Sequence, residues 1–388
     1  MSGFDIAVIG LGAMGSASIY AAAKRGQRVL GLERYEPGHP RSSSYGETRL
    51  IRLAYFEDPS YVPLVQEAYR RWRDLETETG ETVLMITGAV EAGFPGAPLV
   101  VQSWRSSTEH NLRSARLTAR QANARFPAFD LPDDWDVIFQ PDAGALLPEK
   151  AIRLFVAGAK AHGAEVRLNT RVISVEPANE RVQIVLEGGE RIEVGSAVIA
   201  AGAWIGDLLP DVAEHLRLTR QPLMWFQPLS PALVHPDRMP AFLFQTRSDL
   251  IYGLPDICGT GVKAALHHSG DLLASAEQAR GAVSGTEVEH LQGLLHRYVP
   301  AAAGRLVNSS VCIYTRSPDG HFLVGLHPKA PQLVIASPCS GHGFKFASVM
   351  GEILADLAID RRTDRPIGLF DLQRLKPPRA NLAEQDRG

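Results

Sequence analysis

The stretch that most constrains the fold runs from Asp5 to Glu33 and carries three closely spaced glycines. Its sequence, DIAVIGLGAMGSASIYAAAKRGQRVLGLE, begins with a short apolar run, continues through an Ala-rich segment, and reaches a second apolar run before the final acid. This order predicts a strand, a tight turn, a helix and a second strand within about 30 residues, which is the phosphate-binding unit of a Rossmann-type fold. We therefore expect a dinucleotide at this unit.

The three glycines have separate roles in holding a pyrophosphate. Gly10 permits the tight turn, Gly12 lets the backbone approach the phosphates, and Gly15 lets the helix pack close to the strand. The N-terminus of the helix offers free N–H groups and the positive end of its dipole to the anion. A glycine-rich turn between strand and helix that binds no ligand is the alternative.

Glu33 follows Gly15 by eighteen residues and is placed to accept a hydrogen bond from a ribose hydroxyl. An acid at this position argues against a 2′-phosphate, so NADP is disfavoured. The motif alone does not separate FAD from NAD. GLGAMG also resembles the start of the β-hydroxyacid dehydrogenases, which use nicotinamide, so the rest of the chain has to decide.

Length and composition predict two domains and exclude some partners. The chain has 388 residues, which is too long for one simple core. Its formal net charge of −3 gives no reason to expect nucleic acid or an anionic membrane surface. Cys258, Cys312 and Cys339 are too few for a disulfide framework, and no signal peptide or membrane-spanning stretch is visible. We expect a cytoplasmic protein that acts on a small molecule and has no metal site.

A polar loop, RYEPGHPRSSSYGETR, follows Glu33. A loop of this length directly after a nucleotide-binding unit often contacts the ligand. It leads to Arg49 and Arg52, which would share one face if the segment were helical; a solvated basic pair is the alternative. Apolar residues then recur at helical spacing from Tyr61 to Glu78, which predicts an amphipathic helix.

The remaining patterns predict that the chain leaves the first sheet and returns to it. A strand-like GAVEAGF segment begins a different unit at Gly88. A helix at 149–162 precedes short strands, the last of them at 191–194. The apolar run at 197–200 ends in Ala201-Gly202-Ala203-Trp204, which indicates a buried parallel strand followed by a small-residue turn.

The second excursion covers residues 217–314, where alternating strands and a helical insert near 275–298 predict a mainly antiparallel sheet. An apolar strand at 333–336 then precedes SPCSGHGFK and a helix from about 346 to 359. The polar tail from Lys376 is expected to be frayed.

The predicted fold class is therefore α/β, with a Rossmann-type FAD- or NAD-binding domain interleaved in sequence with an α+β substrate domain on a mainly antiparallel sheet. We expect the cofactor domain to comprise residues 1–87, 143–215 and 320–388. The substrate domain is expected to comprise residues 88–142 and 216–319.

Four stretches carry residue types that often act in catalysis or binding, although each has an ordinary structural explanation when taken alone. A lysine on a strand is often at the surface, and a free cysteine is most often a small core residue. The residues are the arginine pair Arg49 and Arg52, the group Tyr252, Lys263 and His267, the pair Cys312 and Tyr314, and the run from Ser340 to Lys345.

Together, these stretches resemble the monomeric sarcosine oxidase family, which includes N-methyltryptophan oxidase and pipecolate oxidase. The resemblance runs essentially end to end. It is carried by GLGAMG with Glu33, and by YGETRLIRLAY, KAALH, CIYTRSPDGHF and SGHGFKFASVMGE. The last three segments, in this order and at these separations, are specific, and the nicotinamide dehydrogenases have no reason to carry them.

The resemblance implies an FAD attached covalently through a cysteine sulfur, and Cys312 matches that cysteine. It implies oxidation of a secondary α-amino acid, such as sarcosine, another N-methyl amino acid or a cyclic amino acid. A hydride equivalent leaves the carbon next to nitrogen, the imine hydrolyses, and O2 reoxidises the flavin to give hydrogen peroxide. A monomer is the family expectation.

The resemblance also assigns roles to single residues. Arg52 and Lys345 match a clamp for the substrate carboxylate, which suits a planar fork and a point charge. Lys263 matches a lysine that activates oxygen, and Arg49 an arginine near the flavin ring. Positions of the substrate pocket are matched by His267, Tyr252 and Tyr314.

Backbone N–H groups at Gly341 to Gly343, which open the last helix, are expected to stabilise negative charge on the pyrimidine end of the reduced flavin. The positions that the glycine motif and the resemblance together assign to cofactor binding are Gly10, Gly12, Ala13, Met14, Gly15, Glu33, Arg34, Ser43, Ser44, Thr48, Val172, Ala201, Gly202, Trp204, Cys312, Gly341, His342, Gly343 and Lys345.

The chain departs from the family pattern near the expected flavin. Tyr45 stands where the sarcosine- and methyltryptophan-type members have His, and Cys339 replaces a residue that is usually bulky. The residues between Lys263 and His267 are also smaller than in a typical sarcosine oxidase. These differences suggest a pocket that is not tuned to sarcosine alone. An NAD-dependent hydroxyacid dehydrogenase and a non-catalytic nucleotide-binding protein are the alternatives of other classes.

Overall fold

The glycine-rich stretch folds into the predicted unit in the computed structural model, which describes residues 3–267, 270–278 and 281–375. Strand β1 (Phe4–Ile9) leads through the glycine turn into helix α1 (Ala13–Lys24) and strand β2 (Val29–Leu32). Both strands are buried on almost their whole length, as expected for a parallel sheet covered on both faces.

The remaining described strands are β3 (Arg49–Ile51), β4 (Leu84–Ile86), β5 (Ala89–Gly93), β6 (Ala115–Thr118), β7 (Asp136–Gln140), β8 (Gly144–Leu146), β9 (Glu165–Arg167), β10 (Val172–Ala178), β11 (Arg181–Leu186), β12 (Arg191–Ile199), β13 (Arg217–Phe226), β14 (Ala241–Gln245), β15 (Leu250–Leu254), β16 (Val262–Leu266), β17 (Leu272–Leu273), β18 (Leu306–Arg316), β19 (Leu323–His327) and β20 (Ala330–Ser337). The remaining described α-helices are α2 (Val62–Thr79), α3 (Pro98–Glu109), α4 (Ala119–Arg125), α5 (Pro148–Ala161), α6 (Ile205–Leu208), α7 (Pro210–Ala213), α8 (Gly285–Tyr298) and α9 (Ala347–Asp360).

The first sheet contains β1 and holds eight of the described strands in the order β10-β11-β12-β1-β2-β9, with β20 paired to β12 and β19 to β20. Its centre is parallel, since β1 runs parallel to both β2 and β12, and β12 runs parallel to β20. The carboxyl ends of these parallel strands meet at one edge, which is where open α/β sheets bind ligands.

Strand β12 corrects one detail of the sequence analysis, which predicted separate strands at 191–194 and 197–200. The structure has one strand, Arg191–Ile199. Its first half pairs with β11 and its second half with β1 and β20. Because the two halves face different surroundings, their residue patterns differ although the backbone is continuous.

Helices α1, α2, α5 and α9 pack around one face of the first sheet and share one core cluster. Small residues allow α1 and α9 to approach closely: a Cβ added to Gly351 would lie 2.6 Å from the carbonyl oxygen of Ala17. None of the described helices is long and apolar enough to cross a membrane.

The second sheet is mainly antiparallel and holds nine of the described strands, in the order β17-β13-β16-β15-β14-β5-β7-β6, with β18 paired to β13. Its strands come from both stretches that the sequence assigned to the substrate domain. The division into domains at the stated boundaries stays a prediction. Helix α8 begins later than predicted, at Gly285 rather than near Ser275, because Ser284 and Glu287 form a capping box there.

A third, small sheet has three strands in the order β3-β8-β4. Arg49 starts β3 and pairs with Leu146, and Arg52 directly follows this strand, so the segment is extended and the two arginines do not share a helical face. Lys376 and the tail after it lie outside the described residues.

Candidate active site

One elongated cavity of about 440 Å³ lies between the two large sheets. Its first end is formed by the carboxyl edge of the parallel strands and the start of α1. Its other end is formed by the second sheet and by the loop that precedes α9. We call the first the dinucleotide end and the other the reactive end.

The glycine turn at the dinucleotide end leaves space where a pyrophosphate needs it. Gly10 has a φ of +86°, and a Cβ added there would lie 2.6 Å from the carbonyl oxygen of Ala200. A Cβ on Gly15 would lie 1.8 Å from the carbonyl oxygen of Gly10. Around Gly12, by contrast, no atom of the described residues other than its chain neighbours and the nearby helix backbone lies within 4 Å of an added Cβ, and Gly12 lines the cavity. The open space lies directly before the N-terminus of α1, so the turn fits a pyrophosphate.

The carboxylate of Glu33, at the end of β2, is held by backbone amides. One carboxylate oxygen accepts a hydrogen bond from the Leu11 amide at 2.7 Å, and the other from the Tyr35 amide at 2.9 Å. The side chain is buried and lines the cavity, and this burial raises its pKa. Each oxygen of a carboxylate has a further lone pair, so the group still suits a ribose hydroxyl.

Most of the predicted cofactor residues line this one cavity. The exceptions are Gly15 and Thr48: Gly15 acts through helix packing, and the Thr48 carbonyl accepts hydrogen bonds from Arg49 and Lys263. The residues that do line the cavity are Gly10, Gly12, Ala13, Met14, Glu33, Arg34, Ser43, Ser44, Val172, Ala201, Gly202, Trp204, Cys312, Gly341, His342, Gly343 and Lys345.

The loop before α9 closes the reactive end and depends on two glycines. Gly341 has a φ of +83°, and a Cβ there would lie 2.6 Å from the ring of Tyr314. A Cβ on Gly343 would lie 1.6 Å from the carbonyl oxygen of Pro338. The loop continues into a 3₁₀ turn at Phe344–Phe346 before α9 begins. Its backbone therefore borders the cavity with no side chain in between at these two positions.

Two free cysteines line the cavity at this end. Cys312, on β18, is buried, and its Sγ lies 3.2 Å from the Ser43 carbonyl oxygen. Cys339 accepts a hydrogen bond from the Thr315 amide at 3.4 Å, and burial raises the pKa of its thiol. The cavity therefore offers more than one sulfur, and the sequence resemblance favours Cys312.

Arg49 shapes the loop between β2 and β3. Its guanidinium donates to the carbonyl oxygens of Ser43 at 2.9 Å, Tyr45 at 2.6 Å and Thr48 at 2.8 Å. These bonds fix the loop that carries Ser43 and Ser44, and the Arg49 side chain itself borders the cavity. Tyr45, which stands where members of the resembled family have His, is thus held through its backbone carbonyl.

Lys263 is placed differently from the other predicted catalytic residues, because it does not line the cavity. Its Nζ donates to the carbonyl oxygens of Gly46 at 2.7 Å and Thr48 at 2.6 Å, and lies 5.4 Å from the ring centroid of Trp225. The side chain is buried, and burial, with a further contribution from Arg49, moves its pKa well below the usual value. The Trp225 side chain is itself buried.

Arg52 is buried and enclosed at the reactive end. Its guanidinium lies 4.6 Å from the ring centroid of Tyr55 and 4.7 Å from that of Phe56. One Nη donates to the Ala54 carbonyl, and the other lies 2.7 Å from an oxygen of Glu57. Burial opposes the charge on Glu57, but Arg52 and other nearby basic groups lower its pKa to about 2. Sequence reasoning missed Phe56 and Glu57, although both follow directly on the YGETRLIRLAY motif.

Lys345 also borders this end of the cavity. Its Nζ donates to the His342 carbonyl at 2.8 Å and to the Tyr55 hydroxyl at 3.3 Å. Burial and the nearby charge of Arg52 lower the pKa of Lys345 to about 7. The imidazole of His342 bonds to the Tyr55 hydroxyl at 2.7 Å, and burial lowers its pKa to about 4. Nζ of Lys345 also lies 5.1 Å from the ring centroid of Tyr55, so the structure places both Arg52 and Lys345 beside this ring.

Three rings that the sequence assigned to the substrate pocket come together in the same cavity. His267 lies 6.4 Å from Tyr252 and 5.8 Å from Tyr314, measured between ring centroids. Burial raises the pKa of both tyrosines, so their hydroxyls stay protonated. Leu243 completes this wall. It faces Tyr252 through the register of β14 and β15, which no signal in the sequence could have shown.

The family follows from a match over most of the chain. The family model described as DAO, FAD dependent oxidoreductase, matches residues 5–357. The chain belongs to this family. A monomeric sarcosine oxidase from Streptomyces avermitilis is 36% identical over 379 residues, which cover 96% of this chain and 98% of that protein.

Two further comparisons agree. An N-methyl-L-tryptophan oxidase from Yersinia pestis is 31% identical over 378 residues, which cover 96% of this chain and 100% of that protein. The structure of NikD, an amino acid oxidase of nikkomycin biosynthesis, superposes with a TM-score of 0.84 at 24% identity and covers 98% of this chain and 99% of that one. The fold class predicted from sequence is confirmed by this likeness.

Family membership decides the question that the glycine motif left open. The protein is an FAD dependent oxidoreductase, and the nicotinamide-dependent dehydrogenase alternative was wrong. GLGAMG could not exclude it, because FAD and NAD share the pyrophosphate that the turn binds. The segments further along the chain carried the information that separates the two cofactors.

Proposed function

We propose that this FAD dependent oxidoreductase oxidises a secondary α-amino acid, such as sarcosine or another N-methyl amino acid, at a carbon bonded to the amine nitrogen. The imine product would hydrolyse in water, and O2 would accept the electrons and leave as hydrogen peroxide. The observation that supports the proposal is that Arg52 and Lys345 line one cavity together with three rings that can enclose a small amine, and that both cations lie beside the Tyr55 ring.

The two cations suit a carboxylate, because one is a planar fork and the other a compact charge. A lysine ammonium has three N–H donors, and the contacts of Lys345 to His342 and Tyr55 leave one for a ligand. Arg52 is held between two rings, so its orientation is set before the substrate binds. A carboxylate in this position directs the amine towards the centre of the cavity.

Bound FAD supplies the two-electron acceptor, and the glycine turn, Glu33 and the loop at Gly341 to Gly343 are the residues that would hold it. The wall made by Tyr252, His267 and Tyr314 restricts water and substituents on the amine. A secondary amine must lose a proton before a hydride can leave its carbon. Fixed positive charge in the pocket lowers the pKa of the bound amine and so favours the reactive form.

The test is oxidation of a panel of amines by the purified holoenzyme, with hydrogen peroxide and oxygen uptake both measured. We expect turnover with N-methyl or cyclic secondary amino acids and little with the matching primary amino acids. Flavin that is reduced by such an amine but not reoxidised by O2 would point to a dehydrogenase of the same family. Failure of every secondary amino acid to reduce the flavin contradicts the proposal.

We also propose that the FAD is attached covalently through Cys312. The free, buried thiol at the reactive end of the cavity supports this, and Cys339 provides a matched control because it lines the same cavity. After acid precipitation, we expect yellow colour in the pellet for the wild type and for Cys339→Ser, but in the supernatant for Cys312→Ser. Colour that stays in the pellet of the Cys312→Ser protein would move the attachment to another residue.

A monomer in the cytoplasm is our further proposal. The three cysteines are all free, which fits a reducing compartment, and the resemblance favours a monomer. The molecular mass measured in solution by light scattering tests the monomer directly. The expected value is that of one 42.2 kDa chain.

A further inference from the structure

Behind Arg52 lies a second acid that neither the sequence motifs nor the mechanism accounts for. Glu91, on β5 of the second sheet, is 0% exposed, and its Oε1 lies 3.4 Å from Nε of Arg52. No hydrogen bond of ordinary geometry reaches either carboxyl oxygen from the described residues. A buried carboxyl whose main partner is a substrate-binding arginine needs an explanation, since an uncompensated buried charge is costly.

The groups that face Glu91 come from every element packed around it. Arg52 and Glu57 come from the segment after β3, Ser103 from α3, Gln140 from β7, and Lys345 from the turn before α9. On β14, the strand on the other side, the residue opposite Glu91 is Leu243, which carries no charge. Burial raises the pKa of Glu91 to about 7, against the opposing effects of Arg52, Ser103 and Gln140.

These groups make the reactive end nearly neutral when all of them are ionised. Arg52 and Lys345 carry two positive charges, and Glu57 and Glu91 carry two negative ones. A substrate carboxylate that entered this set would add a charge without a counterpart. If Glu91 is protonated instead, Arg52 keeps Glu57 as a partner and one positive charge is left for the substrate.

We propose that Glu91 is a positioning residue that controls the charge of the Arg52 site, so that the carboxylate of a substrate binds together with a proton from solvent that neutralises Glu91. The inference rests on the proposed function, because it requires Arg52 and Lys345 to bind a carboxylate. It also defines the ligand class: the affinity for monoanionic carboxylates should depend on this proton uptake and fall as the pH rises, whereas the affinity for neutral analogues of the same shape should not.

The experiment measures the dissociation constants of acetate and of acetamide, its neutral analogue, from changes in the visible flavin spectrum of the holoenzyme at pH 6 and pH 9. The variants are Glu91→Gln, which keeps the shape without the charge, and Glu109→Gln, at an exposed position of α3, as the control. One pKa unit corresponds to a tenfold change. We expect Glu91→Gln to bind acetate about tenfold more tightly than the wild type at pH 9 and within about twofold of it at pH 6.

Lys345 loses its charge over the same pH range, and its loss also weakens acetate binding as the pH rises. That effect remains in Glu91→Gln, so it cannot produce tighter binding than in the wild type at pH 9. If Glu91 served only to hold Arg52 in place, Glu91→Gln would bind acetate more weakly than the wild type at both pH values. This result would overturn the proposal. Equal affinity of Glu91→Gln and the wild type at pH 9, or no acetate binding to any form, also overturns it.

Should Glu91→Gln not fold, calorimetry of acetate binding to the wild type at pH 8, in two buffers of different ionisation enthalpy, counts the protons taken up. The same titration of Lys345→Arg, whose guanidinium stays charged over this pH range, removes the contribution of Lys345, so proton uptake is expected in both proteins and its absence in Lys345→Arg contradicts the proposal. None of these measurements depends on amine oxidation. A protein that binds acetate as expected but oxidises no secondary amino acid would refute the proposed function alone.

Discussion

At the scale of single residues, the reactive end of the cavity is governed by buried cations whose partners differ. Arg52 lies beside two acids, Glu57 and Glu91, and is enclosed by rings. Among the described residues, the hydrogen-bond acceptors of Lys263 are instead the neutral carbonyl oxygens of Gly46 and Thr48. Burial favours its neutral form, so the Lys263 ammonium loses its proton more readily than a lysine in water. This side chain lies close to the loop that Arg49 fixes.

Lys263→Met tests whether this cation serves the reaction with oxygen. Positive charge near the site stabilises anionic oxygen species, so we expect reoxidation by O2 to slow by on the order of 100-fold, with a much smaller effect on reduction by substrate. Stopped-flow measurement of the two half-reactions separates them. Lys160→Met, at an exposed position of α5, is the control.

The same substitution leaves the Gly46 carbonyl oxygen without the Lys263 donor, which costs about 1–3 kcal/mol of stability. A lower melting temperature is therefore expected beside the kinetic change and does not bear on the role in oxygen activation. Equal slowing of both half-reactions would remove that role from Lys263. It would leave the lysine as a residue that holds the loop at Gly46.

At the scale of elements, Gly12 and Gly15 belong to one motif but are required for different reasons. Gly15 is required by packing, because a Cβ there would lie 1.8 Å from the carbonyl oxygen of Gly10. Gly12 is required only by the ligand, because the space around it is open. A pair of alanine substitutions can therefore distinguish folding from cofactor binding.

We expect Gly15→Ala to lower the free energy of unfolding by about 1–3 kcal/mol, as overpacking does, and to reduce the FAD content as well. Gly12→Ala should leave the unfolding of flavin-free protein unchanged and reduce the FAD content alone. Thermal unfolding of flavin-free protein and the ratio of flavin to protein absorbance measure the two effects. A destabilised Gly12→Ala protein with full FAD content would reverse the assignment.

At the scale of the whole molecule, the two sheets meet over the cavity, and Glu277 links them at the dinucleotide end. Its carboxylate pairs with Arg34 and accepts a hydrogen bond from the Trp204 indole at 2.9 Å. Arg34 and Trp204 line the cavity from the side of the first sheet, whereas Glu277 follows β17 of the second sheet. The contact is well placed to hold the cleft closed over the cofactor.

Exposed ion pairs contribute about 0.2–1 kcal/mol, and about 1 kcal/mol corresponds to fivefold in affinity. We therefore expect Glu277→Ala, made together with Cys312→Ser so that FAD can dissociate, to weaken FAD binding by about fivefold or less. Fluorescence titration of the flavin measures the dissociation constant. Glu289→Ala, at an exposed position of α8, should have no effect, and a similar loss in both variants would contradict a specific role for Glu277.

Local patterns in the sequence determined a large part of this protein. The glycine spacing predicted β1, α1 and β2, because turn geometry and helix packing depend on neighbours a few residues apart. The ordered motifs around Lys263, Cys312 and Gly343 indicated the family and, through it, FAD. Most of the predicted cofactor positions line one cavity for the same reason: each motif forms its part of the wall locally.

Only the tertiary structure decided which distant groups share the buried reactive end. Glu91 lies on β5 of the second sheet, whereas Arg52 directly follows β3 of the three-stranded sheet, and Leu243 reaches the pocket through strand register. Lys263 points to the backbone at Gly46 rather than into the cavity. Strand pairing across long stretches of chain sets these contacts, and the resulting burial sets their charges. A single sequence records the residue types but not the pairing, so the charge balance around Arg52 became visible only in the folded chain.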